Sequence, residues 1–129
     1  MITKAAALYR FFSGFGIPAY VSTSVPDDAT FPRLTYDPVF GAFDFTRTTS
    51  GEMAMSVNLW YRTESEAIPN GKAQEISEAI GMGGKMLPCD EGFIWIKRGS
   101  PFCQPMTDAD DPAVKRRYIN LTVEYLTAN

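Results

Sequence analysis

GEMAMSVNLWYR, residues 51–62, is the most regular stretch of the chain. Met53, Met55, Val57, Leu59 and Tyr61 alternate with Glu52, Ala54, Ser56, Asn58 and Arg62. A period of two sends successive side chains to opposite faces, so this is a strand with one apolar face and one polar face. Trp60 interrupts the polar side. At roughly 3.3 Å per residue the strand spans ~33 Å, more than one small helix covers, so part of it is expected to project or to meet a neighbour.

A sheet with one apolar face needs helices on that side, and two segments have helical spacing. In residues 2–15, Ile2, Ala5, Ala6, Leu8, Tyr9, Phe12 and Phe15 form one broad apolar face, and Gly14, Gly16 and Pro18 supply a stop. The second helix is predicted over 69–80, with Ala73, Ile76, Ala79 and Ile80 in register, Pro69 in its first turn and glycines 81, 83 and 84 ending it. Short strands are predicted at 19–21, 33–39, 86–89 and 93–97, the last two joined by the tight turn Asp90-Glu91-Gly92. YINLTVEYL, residues 118–126, alternates again and closes the sheet. The predicted class is α+β, a mainly antiparallel sheet with two helices packed on one face and an extended strand hairpin, in one domain over 1–129.

Composition narrows the function. The 129 residues carry 12 basic and 15 acidic side chains, a formal charge of −3, with 45% hydrophobic residues. That is globular composition without a basic arm, and it argues against tight non-specific binding to phosphate. No stretch approaches the roughly 18 apolar residues of a membrane span, and the first residues lack a signal-peptide core, so a cytoplasmic chain is expected. Cys89 and Cys103 match no metal or redox spacing, and both are expected to be reduced and structural. The chain has no histidine, which removes the commonest metal ligand, the commonest general base and every Ser-His or Cys-His pair. No catalytic residue, cofactor or metal site is assigned.

Several motifs fail on inspection. GMGGKM, 81–86, lacks the first glycine and the Ser or Thr of a phosphate loop and follows a helix instead of a strand. Asp108, Asp110 and Asp111 could attract a hard cation but lack the glycine and distal glutamate of a calcium loop. Lys115-Arg116-Arg117 could form a basic patch with Lys97-Arg98 if their strands pair; an edge made soluble by like charges, or salt bridges to a neighbouring subunit, explains the run equally well.

Two stretches are harder to absorb into a core. FGAFDFTRTTSG, 40–51, places Phe40, Phe43, Phe45 and Arg47 in a connection where aromatics would be wet unless covered, although Phe43 and Phe45 could also extend the sheet. GSPFCQPMTDADDPAV, 99–114, is long for a connection and carries Phe102 and Met106 among three prolines. With Trp60, Arg62, Arg116 and Arg117, these residues make up the candidate interface.

The order of elements, with Val25-Pro26-Asp27-Asp28, Phe31-Pro32, Leu34-Thr35-Tyr36, Leu59-Trp60-Tyr61-Arg62 and Arg116-Arg117-Tyr118-Ile119, resembles the tail-terminator or tail-completion proteins of long-tailed bacteriophages. Physically, Pro26 and Pro32 fix their own φ and bias Val25 and Phe31 to extended backbone, while Asp27-Asp28 favours a turn, so the strand that follows enters the sheet in one register. The resemblance implies a structural virion protein: a ring, a hexamer, that caps the tail tube in the neck of the virion and joins it to the head connector. Its partners would be copies of itself, the tail-tube protein and the connector. DNA would pass through without specific binding, and no membrane is involved. A head-tail connector or tail-tube subunit is the nearest alternative. A ferredoxin-like module binding nucleic acid or a small molecule is the alternative from another class.

Overall fold

The computed structural model describes residues 2–38, 52–108 and 110–127. The first helix, α1 (Lys4–Phe12), starts where the Thr3 hydroxyl accepts the Ala6 N–H at 3.1 Å. It buries Ala7, Leu8 and Phe12, then tightens into a single 3₁₀ turn that ends at Gly16, whose φ of 82° only glycine adopts cheaply. The helix predicted over 2–15 is therefore an α-helix of nine residues with a 3₁₀ extension.

β1 (Ala19–Val21) and β2 (Arg33–Tyr36) follow, and they pair in parallel. The intervening residues 22–32 cross between them without a helix, and the Phe31–Pro32 peptide bond is cis. β3 (Met53–Arg62) is the strand read from the opening stretch, with Met55, Val57, Leu59 and Tyr61 buried. All four lie under cover, so the expected projection of this strand is not seen. α2 (Ala67–Ile80) begins two residues before the predicted start, with Pro69 buried in its first turn.

β4 (Lys85–Cys89) turns through Asp90-Glu91 into β5 (Gly92–Thr107), as expected of a hairpin. Gly92 is required here: its φ is 154° and a Cβ would lie 2.0 Å from the Leu126 carbonyl oxygen. The predicted connection over 99–114 is overturned. β5 runs on to Thr107 after a register shift between Arg98 and Cys103, and β6 (Val114–Thr127) starts four residues before the predicted Tyr118. The long hairpin is thus β5 with β6.

The sheet has six strands in the order β1-β2-β3-β6-β5-β4, antiparallel except for β1 with β2. Across its centre the register sets Tyr36, Val57, Ile119 and Cys103 in one row and Leu34, Leu59, Arg117 and Pro105 in another. These rows face the helices: α2 packs on β3, β5 and β6, α1 packs on β1 and β4, and Phe12 of α1 stacks on Tyr36 with ring centres 4.7 Å apart. One core cluster joins Phe12, Leu34, Leu59, Ile76, Ile94 and Ile119. Lys72 Nζ donates to the Phe15 carbonyl at 2.6 Å and so ties α2 to the end of the first helical segment.

Two outcomes test this core. Ile119 is fully buried at the sheet centre, so Ile119→Ala is expected to cost about 2–5 kcal/mol in urea unfolding; a cost under ~1 kcal/mol would place it elsewhere. Burial, then the neighbouring Cys89 and Asp37, raise the pKa of Tyr125, whose hydroxyl donates to the Pro38 carbonyl at 2.6 Å. A raised folded value keeps its stabilisation intact below the ordinary tyrosine value of 10.0 and loses it as the pH climbs above that. Thermal melts should therefore fall above about pH 10, and less steeply in Tyr125→Phe.

Candidate interaction surface

The register that buries Leu34, Leu59 and Arg117 turns their strand neighbours to the opposite side of the sheet. There Arg33, Trp60, Arg116 and Met106 stand in one cross-strand row, and Thr35, Asn58, Tyr118 and Gln104 form the next. Among the described residues, no helix lies on this side.

The row is built by stacking and hydrogen bonds. The Arg33 guanidinium carbon lies 4.5 Å from the Phe31 ring centre and 5.6 Å from that of Trp60. Arg116 lies 5.0 Å from Trp60 on its other side and 5.8 Å from Tyr118. Trp60 is therefore held between two cations, each contact contributing on the order of 0.5–1 kcal/mol. The Trp60 indole N–H donates to the Thr35 hydroxyl at 3.0 Å, and Arg116 Nε donates to Asn58 Oδ1 at 2.8 Å. Neither Arg33 nor Arg116 meets a carboxylate among the described residues, and Arg33 Nε is buried with no acceptor. A recess of about 300 Å³ lined by Trp60, Thr107, Asp108, Val114 and Arg116 opens beside the row.

The candidate interface residues separate on this geometry. Trp60, Arg116 and Met106 come together in the row, with Met106 42% exposed. Arg62 sits beyond it, with its guanidinium 5.5 Å from Phe31, and is salt-bridged to Asp111. Phe102 packs partly against the core at the register shift, on the helix side, beside a recess of about 270 Å³ that Asn70, Ser77 and Cys103 also line. Arg117 is a correction. It is 2% exposed and points at α2, where its Nε donates to Asn70 Oδ1 at 2.8 Å and its terminal nitrogen pairs with Glu66. Adjacent residues on a strand face opposite ways, so the Arg116-Arg117 pair cannot share a surface. Phe40, Phe43, Phe45 and Arg47 lie outside the described residues.

The basic patch raised from Lys97-Arg98 and Lys115-Arg116-Arg117 does not assemble. Lys97 pairs across from Thr122, about 20 Å along β6 from Arg116. It is neutralised by Glu52 and by Glu124 at 3.8 Å, and Arg98 turns to the helix side to donate to Ser77 Oγ at 2.9 Å. Cys89 and Cys103 are free, and burial pushes both thiols up. Among the described residues, no three His, Cys, Asp or Glu side chains stand together as a metal site, and no helix is long and apolar enough to cross a membrane.

Arg33, Phe31, Thr35 and Tyr118 belong to this surface but were not singled out as surface residues from sequence. The available signal was parity: Arg33 is one residue from Leu34, which belongs to the apolar set, and so faces away from it. In comparison with known proteins, the chain matches no family model, no curated protein and no solved structure.

Thr35→Val keeps the shape of a 5% exposed side chain and removes the acceptor of the Trp60 indole. The expected loss is about 1 kcal/mol in urea unfolding, and an unchanged midpoint would show that the bond holds nothing in place.

Proposed function

We propose that the chain is a structural virion subunit, the tail terminator or tail-completion protein of a long-tailed phage, forming a closed hexameric ring that caps the tail tube and joins it to the head connector in the neck. The observation that carries this reading is the one-sided sheet. Two helices cover one face, while the other carries Arg33, Trp60, Arg116 and Met106, with two guanidinium groups that meet no carboxylate among the described residues. A closed ring needs two different surfaces on each subunit, one docking on the other's complement, and a sheet backed by helices on one side, with no helix on the far side among the described residues, offers both. The hairpin of β5 and β6 adds reach. Its outer edge beyond Ile96 is not paired by β4, and Pro101 and Pro105 on that edge discourage open-ended strand addition. The acidic balance of −3 suits a ring through which DNA slides without adhering. A connector or tail-tube subunit would share these surfaces and differ in its place along the neck.

A second reading, a nucleic-acid binding module, draws on the same alternation of arginine and aromatic side chains, a composition that stacks bases. Asp108 at the recess and the chain's negative balance weigh against it.

Native mass spectrometry and negative-stain imaging of the concentrated protein decide between them. A single closed oligomer with sixfold views is the expected result. A monomer that binds single-stranded DNA with a steep salt dependence, and an absence of this chain from the neck of intact particles, would reject the ring.

A further inference from the structure

The outer side of α2 carries a stripe whose chemistry mirrors the open row of the sheet. Ile68, Gly71, Glu75 and Glu78 recur at helical spacing on the side opposite the buried Pro69, Ala73, Ile76 and Ile80, and all four are exposed. Ile68 is 54% exposed, a large apolar side chain with no cover. The Glu75 side chain is 51% exposed and touches Lys72 at 3.0 Å, while Glu78 accepts from Gln74 at 3.1 Å. Gly71 presents bare backbone, with no atom within 4 Å of where its Cβ would stand.

The two surfaces match in order and length. From Ile68 to Glu78 the helix rises about 15 Å. From Met106 through Arg116 and Trp60 to Arg33 the row crosses three strand spacings, about 14 Å. One end of each is apolar, and the other ends are of opposite charge.

Resting on the ring reading, we propose that the α2 stripe of one protomer seats on the open row of the next. Ile68 meets Met106, Gly71 lets the helix backbone close over Arg116 and Trp60, and the Glu75 and Glu78 carboxylates take the terminal guanidinium donors of Arg116 and Arg33 that the Asn58 and Ala29 bonds leave over. Because the stripe and the row lie on opposite sides of one subunit, the contact is heterologous, as a ring requires. Charge-assisted pairs formed across the contact, in addition to the bonds these groups make within each protomer, would also set its register.

The experiment compares variants by native mass spectrometry and sedimentation, beside a wild type shown to form the ring. Gly71→Leu meets no neighbour and replaces a poor helix former, so its melting temperature should hold or rise while the concentration needed for the ring increases at least tenfold. Arg33→Glu with Arg116→Glu should abolish the ring, and adding Glu75→Arg with Glu78→Arg in the same chain should restore it. Circular dichroism checks folding, and Arg116→Gln serves if the double reversal fails to fold. A ring unaffected by Gly71→Leu and by the loss of the arginines would overturn this contact and leave the ring itself standing. A wild type that stays monomeric when concentrated and is missing from the virion neck would remove both. Loss of binding to a labelled oligothymidylate in the arginine variant, with the ring intact, would assign the row to nucleic acid and also overturn the contact.

Discussion

The pairing of β3 with β6 is the constraint on which the other features rest. It matches Val57 to Ile119 and Met55 to Leu121, so two alternating strands present their apolar sets to the same side. A slip of one residue would turn every one of those side chains to water, which makes the register strongly specified. With that register set, β2 and β5 can add only where their own apolar residues continue the rows, as Leu34 and Ile96 do. Both helices then have one surface on which to bury Leu8, Phe12, Ile76 and Ile80.

The same register also builds the far side. Because the rows on the two faces are locked together, fixing Leu34–Leu59–Arg117 also fixes Arg33–Trp60–Arg116. Stacking of guanidinium groups on Trp60, with Thr35 and Asn58 holding the polar atoms, limits the rotamers of long side chains that would otherwise be free. A surface ordered in advance loses less conformational entropy when a partner arrives. That is the physical link between a core decision and the proposed assembly.

Arg117 shows how the helix side handles a charge in the core. Its guanidinium is 2% exposed, yet it reaches Asn70 and Glu66 at the start of α2, and Lys115 lies 3.9 Å from the same carboxylate. A buried cation is costly unless paired and hydrogen-bonded, so this cluster ties the first turn of α2 to the start of β6 at a defined position. The orientation of the α2 stripe follows from that tie and from Lys72 on the Phe15 carbonyl.

The sequence by itself determined β3, both helices, the β4–β5 turn and the one-sided character of the sheet, because each rests on local periodicity or a turn residue. It also determined the absence of histidine and the limits that sets on chemistry. The tertiary structure decided three things. Residues 99–107 are strand even though Gly99 and two prolines weaken any local signal: pairing with β6 compensates, and the Gly99 backbone passes so close to Asn120 that a Cβ would lie 2.7 Å from its carbonyl oxygen. The parallel seat of β1 beside β2 depends on a connection with no periodicity to read. The Arg33–Trp60–Arg116 row joins residues far apart in the chain, and neighbours of that kind exist only once strand order and register are fixed, which no window of sequence contains.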